Sequence, residues 1–151
     1  MERRVADAFD TAAARWRDRP FLHVPGETAR HCGIEPGPLR HGDVAAAVAR
    51  IRARDRAAGY GRHDRAGLML ENRPASFPHW LARNGLGVSV VPLNPELRPA
   101  ELDDLVTHSD IALAVGTAGH GPALAVCAAQ ARDLPGTPFC IDTRPLKRRQ
   151  S

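Results

Sequence analysis

A glycine-rich stretch at residues 116–121, which reads GTAGHG, is the segment most similar to a ligand-binding motif. It follows an apolar run and precedes a helical pattern, so free backbone N–H groups and a helix dipole there could hold a phosphate. The stretch contains no lysine, lacks the P-loop pattern and misses the third glycine of G-x-G-x-x-G. The sequence therefore favours an ordinary strand-to-helix turn over a phosphate site.

Side chains that could act as nucleophiles or acids lie outside recognisable catalytic motifs. No G-x-S-x-G pattern encloses a serine, which disfavours a serine hydrolase. The four serines are Ser76, Ser89, Ser109 and Ser151. The adjacent carboxylates Asp103 and Asp104 should point about 100° apart on a helix, which favours a solvated face over a paired acid and base. These patterns predict no catalytic residue.

Possible metal ligands are equally dispersed along the chain. The histidines show neither H-E-x-x-H nor H-x-H spacing. They are His23, His31, His41, His63, His79, His108 and His120. His31 and Cys32 are the only adjacent pair of soft ligands, whereas a zinc site needs about four converging ligands. We predict no metal site.

The cysteine pattern indicates a reducing environment. Cys32, Cys127 and Cys140 form no C-x-x-C pair and no even-numbered framework, as expected of small buried thiols in the cytosol. No apolar run approaches the roughly 18 residues of a membrane helix. Asp7 and Asp10 interrupt what would have to be a secretory signal. The sequence therefore predicts a cytoplasmic protein with no membrane span.

The net charge of +4, from 21 basic and 17 acidic residues, is weak evidence for a nucleic-acid partner. Three of these charges come from residues 147–149, in a segment 145–151 that we expect to be a disordered basic tail. Alternating arginines of a predicted helix point in different directions, which favours a solvated helix over a phosphate-binding face. They are Arg50, Arg52, Arg54 and Arg56. We expect no nucleic-acid partner.

Hydrophobic periodicity predicts an α/β fold with one core. A helix over 5–17 and a strand over 21–24 precede residues 25–38, whose three prolines and three glycines indicate a loop or irregular hairpin. A helix over 43–58 follows. Strands are then expected at 66–70, 88–93, 111–115 and 137–142, with helices over about 76–84, 99–106 and 122–132 between them. This alternation predicts a mostly parallel sheet with helical crossovers, and Phe77, Trp80 and Leu81 facing inward.

Four motifs in order resemble the N-terminal part of the AMP-dependent, adenylate-forming acyl-CoA synthetases. They are GYGRHDR at 59–65, ENRP at 71–74, VPLNP at 91–95 and LRPAEL at 97–102. The helix that begins DVAAAVA at 43–49 resembles the first long helix of that family. The resemblance spans about residues 5–144, and it implies that residues 1–144 are a partial N-terminal domain of such a ligase.

The resemblance implies an acid–CoA ligase of fatty acid metabolism. Such ligases activate a carboxylic acid as acyl-AMP with ATP and Mg²⁺, and transfer the acyl group to CoA. The family uses a Ser/Thr/Gly-rich phosphate loop, a downstream Glu, a ribose-binding Asp and a Lys of a small C-terminal domain. None has a match here, and the sole lysine, Lys147, does not correspond to the family lysine. The resemblance thus carries over no catalytic residue, leaves the cofactor-binding residues unknown, and implies a truncated chain that is inactive alone.

Two further expectations concern the surface. The position two before Gly87, often basic in the family and in some members near the CoA nucleotide, is Gly85 here, with Arg83 close by. The apolar strands at 88–93 and 111–115 would in the family be covered by later sequence, so we expect the chain to self-associate through uncovered sheet. The alternative to a ligase fragment is a non-catalytic α/β binding or interaction module with the same fold.

Overall fold

The computed structural model describes residues 3–120 and 122–124 and the backbone of residues 139–141. Its first half contains α1 (Val5–Arg15), β1 (Pro20–Val24), α2 (Gly26–Cys32), β2 (Gly37–Arg40) and α3 (His41–Ala57). Its second half contains β3 (Arg65–Met69), α4 (Ser76–Leu86), β4 (Ser89–Pro92), α5 (Pro99–His108), β5 (Leu113–Gly116), a 3-10 turn at Ala118–His120, and β6 (Phe139–Ile141). The expected tail at 145–151 and most of the helix expected at 122–132 lie outside the described residues.

The second half forms a four-stranded sheet in the order β4-β3-β5-β6, and all three strand pairs are parallel. Helix α4 connects β3 to β4, and α5 connects β4 to β5. The α/β prediction is therefore confirmed. The parallel arrangement is limited to this sheet, because β1 and β2 pair antiparallel in a separate two-stranded sheet.

The expectation of loop or irregular hairpin over residues 25–38 is wrong in part, because residues 26–32 form α2. This helix buries Ala29 and ends at Gly33, which adopts a left-handed conformation with φ of 66°. The Ile34 N–H then donates to the Ala29 carbonyl at 3.0 Å, so the terminal carbonyls of the helix are satisfied. The prolines and glycines lie at the ends of α2 and within β2, where they delimit short elements rather than prevent them.

The parallel sheet separates two apolar clusters, because alternate residues of a strand point to opposite faces. Leu68 and Leu70 belong to the cluster that includes Val88, whereas Met69 packs with Leu102 of α5. A third cluster lies between the five elements of the first half, α1 to α3 with β1 and β2, and α4 of the second half. Residues 111–116 are buried throughout, so the expectation of an exposed strand at 111–115 is wrong. Strand β5 is covered because β3 and β6 pair with its two edges, and the side chains of this segment pack into the apolar clusters on both faces of the sheet.

A buried charge network joins α3 to α4. Arg83 is fully buried, and its Nη2 lies 2.9 Å from Oδ2 of Asp55, which is 2% exposed. Its Nη1 lies 2.7 Å from Nδ1 of buried His79 and also donates to the His79 carbonyl at 3.1 Å. Arg54 contacts the second oxygen of Asp55 at 3.2 Å. A guanidinium in the core is tolerated only when paired in this way, so these contacts determine how α3 and α4 lie against each other.

We expect Asp55→Asn to lower the free energy of unfolding by about 3–5 kcal/mol, because it leaves the Arg83 charge buried and unpaired. The matched control is Glu101→Gln, which removes an exposed carboxylate from its pair with Arg98 and should leave the free energy of unfolding nearly unchanged. Urea unfolding followed by far-ultraviolet circular dichroism measures both. Equal losses in the two variants would show that the network does not hold the helices together.

Candidate functional site

An apolar cavity of about 570 Å³ opens between α1, β1, α4 and one face of the parallel sheet. The sheet contributes Leu68 and Leu70 of the β3 segment and Val90 and Pro92 of β4. Leu68 and Leu70 are two positions apart in one strand segment, as Val90 and Pro92 are in the other. All four side chains therefore point to the same face of the sheet. Helix α1 supplies small and apolar residues to the opposite wall, among them Val5. We call this cavity the aromatic groove, because four aromatic side chains complete its walls: Phe9, Phe21, Phe77 and Trp80.

Phe21 is central to the aromatic groove. Its ring packs edge-to-face against Phe9 at 5.3 Å and Phe77 at 5.7 Å between centroids, and against His41 at 5.3 Å. These three elements, α1, β1 and α4, are therefore held together by ring contacts of the favoured geometry. The same side chains make the wall that a ligand would touch.

The expectation that Phe77 and Trp80 face inward is wrong, whereas Leu81 is buried as predicted. Phe77 is 44% exposed and Trp80 is 37% exposed. Helical spacing correctly identified one apolar face of α4, but no element of the described part of the chain covers its outer portion. Val5 is 57% exposed on the same rim, so three large apolar side chains meet at the mouth of the aromatic groove.

The polar side-chain groups of the aromatic groove belong to His41, Ser76 and Glu71, and Trp80 adds an indole N–H donor. The His41 Nδ1 lies 2.9 Å from the Arg19 carbonyl oxygen, which can only accept, so Nδ1 carries the hydrogen. The Ser76 hydroxyl donates to the Arg73 carbonyl at 2.6 Å. Both side chains therefore donate a hydrogen bond to a backbone carbonyl.

Glu71 lies between two histidines just beyond the carboxyl end of β3. Its Oε1 accepts from Nε2 of His120 at 3.0 Å, and its Oε2 lies 3.6 Å from Nε2 of His31. Strand β4 lies on one side of β3, and β5, which comes later in the chain, lies on the other side. Open α/β sheets commonly bind ligands at the point where the strand order reverses in this way. The sequence analysis did not identify this cluster. A signal was available, because Glu71 and His120 each follow a strand, and the predicted strand–helix alternation places those two strands side by side.

The His120 hydrogen bond lowers the pKa of Glu71 below its ordinary value of 4.5. Burial acts in the opposite direction, and the longer contact with His31 and the charge of Arg73 also lower the pKa. Glu71 is therefore ionised at neutral pH.

The glycine-rich stretch at 116–121 forms a turn in its described part. Residues 118–120 make one 3-10 turn, and His120 leaves it to reach Glu71. A Cβ on Gly116 would lie 2.5 Å from Cδ1 of Leu124, so this glycine permits close packing of the following segment. Residue 121 lies outside the described part. These contacts agree with the strand-to-helix turn favoured by the sequence.

No group of three or more His, Cys, Asp or Glu residues is placed to hold a metal ion within the described ranges. Cys32 is a free, half-buried thiol, while Cys127 and the side chain of Cys140 fall outside those ranges. Asp103 is half-buried and Asp104 exposed, so the two carboxylates have different surroundings, as helical geometry predicts.

The arginines of α3 are only partly solvated, so the prediction of a solvated helix is correct for some of them and wrong for others. Arg50 and Arg56 are exposed. Arg52 pairs with Asp10 at 3.2 Å and Arg54 with Asp55 at 3.2 Å, so both are half-buried against neighbouring acids. Asp10 of α1 and Asp55 of α3 therefore neutralise these two guanidiniums, which a phosphate ligand would otherwise have to do.

Guanidiniums from other elements surround Gly85 of α4. The Arg52 guanidinium occupies the space above it, since a Cβ on Gly85 would lie 2.6 Å from Arg52 Nη2. Arg4 Nη1 donates to the Gly85 carbonyl at 2.8 Å. Arg83, which the sequence placed near this position, instead turns into the core toward Asp55. It therefore supplies no surface charge near Gly85.

The family model for AMP-binding enzymes matches residues 9–151, nearly the whole chain. The chain belongs to the AMP-binding enzyme family. The resemblance to the adenylate-forming ligases is thereby confirmed. Among curated protein sequences, none gives a significant match.

Solved structures of adenylate-forming ligases share the fold of this AMP-binding chain. A Rhodopseudomonas palustris protein assigned as a long-chain-fatty-acid CoA ligase is 19% identical, with a TM-score of 0.74 over 89% of this chain and 32% of its own. The N-terminal domain of FACL13 from Mycobacterium tuberculosis is 19% identical, with a TM-score of 0.70 over 90% of this chain and 32% of its own. Coronafacic acid ligase from Pectobacterium brasiliense is 15% identical, with a TM-score of 0.71 over 85% and 24%.

The AMP-binding chain spans about a third or less of the length of these structures. In the part of the chain that the structure describes, no helix is both long and apolar enough to cross a membrane.

We expect Glu71→Gln to lower stability at pH 7 and to lose this effect in acid. A carboxyl whose pKa is lowered by folding stabilises the folded state above its unfolded value, here 4.5, and this contribution disappears as the pH falls through the folded pKa. The difference in unfolding free energy between parent and variant should thus be present at pH 7 and shrink below about pH 4.5.

Urea titrations at pH 7, 5 and 3 measure this difference. Glu96→Gln, at an exposed position in the loop before α5, serves as the matched carboxylate-to-amide control. A difference for Glu71→Gln that stays constant from pH 7 to pH 3 would rule out a stabilising role for the ionised carboxylate.

Proposed function

We propose that this chain is the N-terminal portion of an acid–CoA ligase, and that the complete ligase activates a carboxylic acid as acyl-AMP before transferring it to CoA. The observation that carries the proposal is the family match over residues 9–151 combined with coverage of only about a third of the solved ligases. The names of the solved structures, which include fatty acyl-CoA ligases, support a fatty acid as the substrate class. The cysteine pattern supports a cytosolic location.

The proposed reaction depends on leaving-group chemistry. A carboxylate oxygen leaves poorly until it is part of an AMP group, so the acid first attacks the α-phosphorus of ATP and displaces pyrophosphate. The CoA thiolate then attacks the acyl carbon and AMP departs. In this scheme ATP supplies the adenylyl group, and Mg²⁺ would neutralise the charge of the phosphates in the transition state.

The described residues do not fit the phosphate or metal part of that chemistry. Gly116 is packed against Leu124, and the Arg52, Arg54 and Arg83 guanidiniums are engaged by carboxylates. We therefore assign to this portion a structural role: it builds the parallel sheet and the helices on both of its faces. No step of adenylation is assigned to a residue of this chain.

We expect the purified 151-residue chain to catalyse no ATP–pyrophosphate exchange with short-chain, long-chain or aromatic acids, because its sequence contains neither the phosphate loop nor the family lysine. Incorporation of labelled pyrophosphate into ATP is the measurement, with a complete fatty acyl-CoA synthetase as positive control. Exchange above the no-enzyme background with any acid would refute the assignment of a structural role alone.

A second candidate, a non-catalytic interaction module, is favoured by the exposed rim of Val5, Phe77 and Trp80. Strand β4 lies beside this rim at the edge of the described sheet, where another chain could pair or pack. The DNA sequence downstream of Ser151 distinguishes the two candidates. A Ser/Thr/Gly-rich loop and a late lysine would support the ligase, whereas their absence would support the module.

We also propose that the chain self-associates through the exposed rim of Val5, Phe77 and Trp80. We expect the weight-average mass to rise above 16.3 kDa as the concentration increases, because contact between chains removes the apolar rim from water. Light scattering coupled to size-exclusion chromatography measures the mass. Val5→Asp should shift the chain toward monomer and preserve α1, since an acid near a helix N-terminus is favourable. A monomer at all concentrations would contradict the expectation.

A further inference from the structure

We propose that the aromatic groove binds a small molecule built on a planar aromatic ring, and that it prefers such a ring to a saturated ring of the same size. This inference does not depend on the ligase activity, because no step of adenylation is assigned to a residue of the aromatic groove.

The size and the opening of the aromatic groove suit a small molecule. Its volume of about 570 Å³ falls within the roughly 300–1,000 Å³ typical of ligand pockets. The rim of Val5, Phe77 and Trp80 is exposed, so a molecule can enter from solvent. An apolar ligand removes these side chains from water as it binds, which favours its entry.

A connected set of rings makes the inner wall of the aromatic groove. Phe21 packs edge-to-face against Phe9 at 5.3 Å and against Phe77 at 5.7 Å, measured between ring centroids. The His41 ring lies edge-to-face to Phe21 at 5.3 Å and is stacked on Phe9 at 6.3 Å. These contacts hold rings from four elements in place before a ligand arrives, so less freedom is lost when one binds.

The outer end of this set has few ring neighbours. Within the described part of the chain, Phe21 is the one ring that packs against Phe77, and no ring packs against Trp80. Phe77 and Trp80 are three positions apart on α4, so their side chains are neighbours on one face of the helix. Both line the aromatic groove and both are exposed. An aromatic ligand seated there gains ring partners that are already in position.

Ring contacts and apolar burial predict opposite preferences. Aromatic rings attract one another beyond the burial of their area, because the negative face of one ring meets the positive edge of another. A saturated ring has no such charge distribution and gains only from burial. It carries more apolar surface than an aromatic ring with the same number of carbons, so burial alone favours the saturated ring. The sign of the preference therefore distinguishes a ring-binding site from a merely apolar cavity.

The polar groups of the aromatic groove are kept out of this comparison by the choice of probes. They belong to His41, Ser76, Glu71 and the indole N–H of Trp80, and they include both donors and acceptors. Two alcohols with the same hydroxyl on the same linker can make the same hydrogen bonds with all four. A difference in their affinities thus reports the ring alone.

The test titrates 3-phenylpropan-1-ol and 3-cyclohexylpropan-1-ol and follows tryptophan fluorescence, with Trp80 as the only reporter. Trp16→Phe removes the other of the two tryptophans, which lies outside the aromatic groove. The protein is kept at a concentration at which light scattering shows a monomer, so that self-association does not compete for the rim.

We expect the phenyl alcohol to bind about threefold more tightly than the cyclohexyl alcohol, because its contacts with Phe77 and Trp80 outweigh the difference in burial. Equal affinities, or tighter binding of the cyclohexyl alcohol, would overturn the proposal. So would a fluorescence signal that the phenyl alcohol does not saturate.

One substitution in that background locates the ring contact. Phe77→Leu removes a ring and keeps an apolar side chain at the same exposed position. It should weaken binding of the phenyl alcohol by about threefold and leave binding of the cyclohexyl alcohol nearly unchanged, so that the preference disappears. The matched control replaces Trp16→Phe by Trp16→Leu, which removes a ring outside the aromatic groove and should leave the preference intact.

Circular dichroism of each variant establishes that it is folded before affinities are compared. A preference that survives in Phe77→Leu would place the aromatic ligand elsewhere and overturn the proposal. Equal losses of preference in Phe77→Leu and Trp16→Leu would do the same. Absence of ATP–pyrophosphate exchange, by contrast, bears only on the ligase proposal, so the two can fail independently.

Discussion

The burial of one guanidinium constrains much of this structure. Arg83 lies fully inside the protein, and Asp55 and His79 are the partners that make its position tolerable. Because Asp55 belongs to α3 and the other two residues to α4, the ion pair determines which faces of the two helices meet. A hydrophobic contact between helices could slide by a residue at modest cost, whereas a buried charge has few alternative partners. The first half of the chain is thereby joined to the second.

The position of α4 in turn creates the aromatic groove. With His79, Leu81 and Arg83 directed into the protein, Phe77 and Trp80 fall on the part of α4 that stands beside the sheet and α1. Phe21 then bridges α1 and α4 through edge-to-face contacts. The other face of the sheet packs against α5, so the two faces are covered unequally. The cavity lies where the covering is incomplete.

Membership of the AMP-binding family explains the scaffold but not the chemistry of the cavity. Arg52, Arg54 and Arg83 are held in ion pairs and the glycine-rich turn makes packing contacts, whereas the walls of the aromatic groove are apolar. Glu71, with its neighbouring histidines at the carboxyl edge of the sheet, is the exception. Its ionised carboxylate accepts from His120 at the edge of this apolar wall.

The sequence by itself determined the alternation of strands and helices from residue 66 to residue 116, the parallel sheet that this alternation requires, and the family. Those features depend on local periodicity and on motifs such as ENRP and VPLNP, which can be recognised without knowledge of their neighbours in the tertiary structure. The strand-to-helix turn that the sequence favoured at residues 116–121 agrees with the 3-10 turn after β5. The sequence-based prediction failed at residues 26–32, where closely spaced glycines and prolines concealed a helix that is short but closed at both ends.

Only the tertiary structure decided which side of each element is covered. Phe77, Trp80 and Leu81 share helical spacing, yet only Leu81 is buried, because coverage depends on elements distant in sequence. Arg83 reads as a surface charge until Asp55, 28 positions earlier in the sequence, is seen to face it. His31, Glu71 and His120 have no spacing in common and meet because α2, β3 and the segment after β5 end at one place. Periodicity describes a single element, whereas burial, charge pairing and cavities are properties of several elements together.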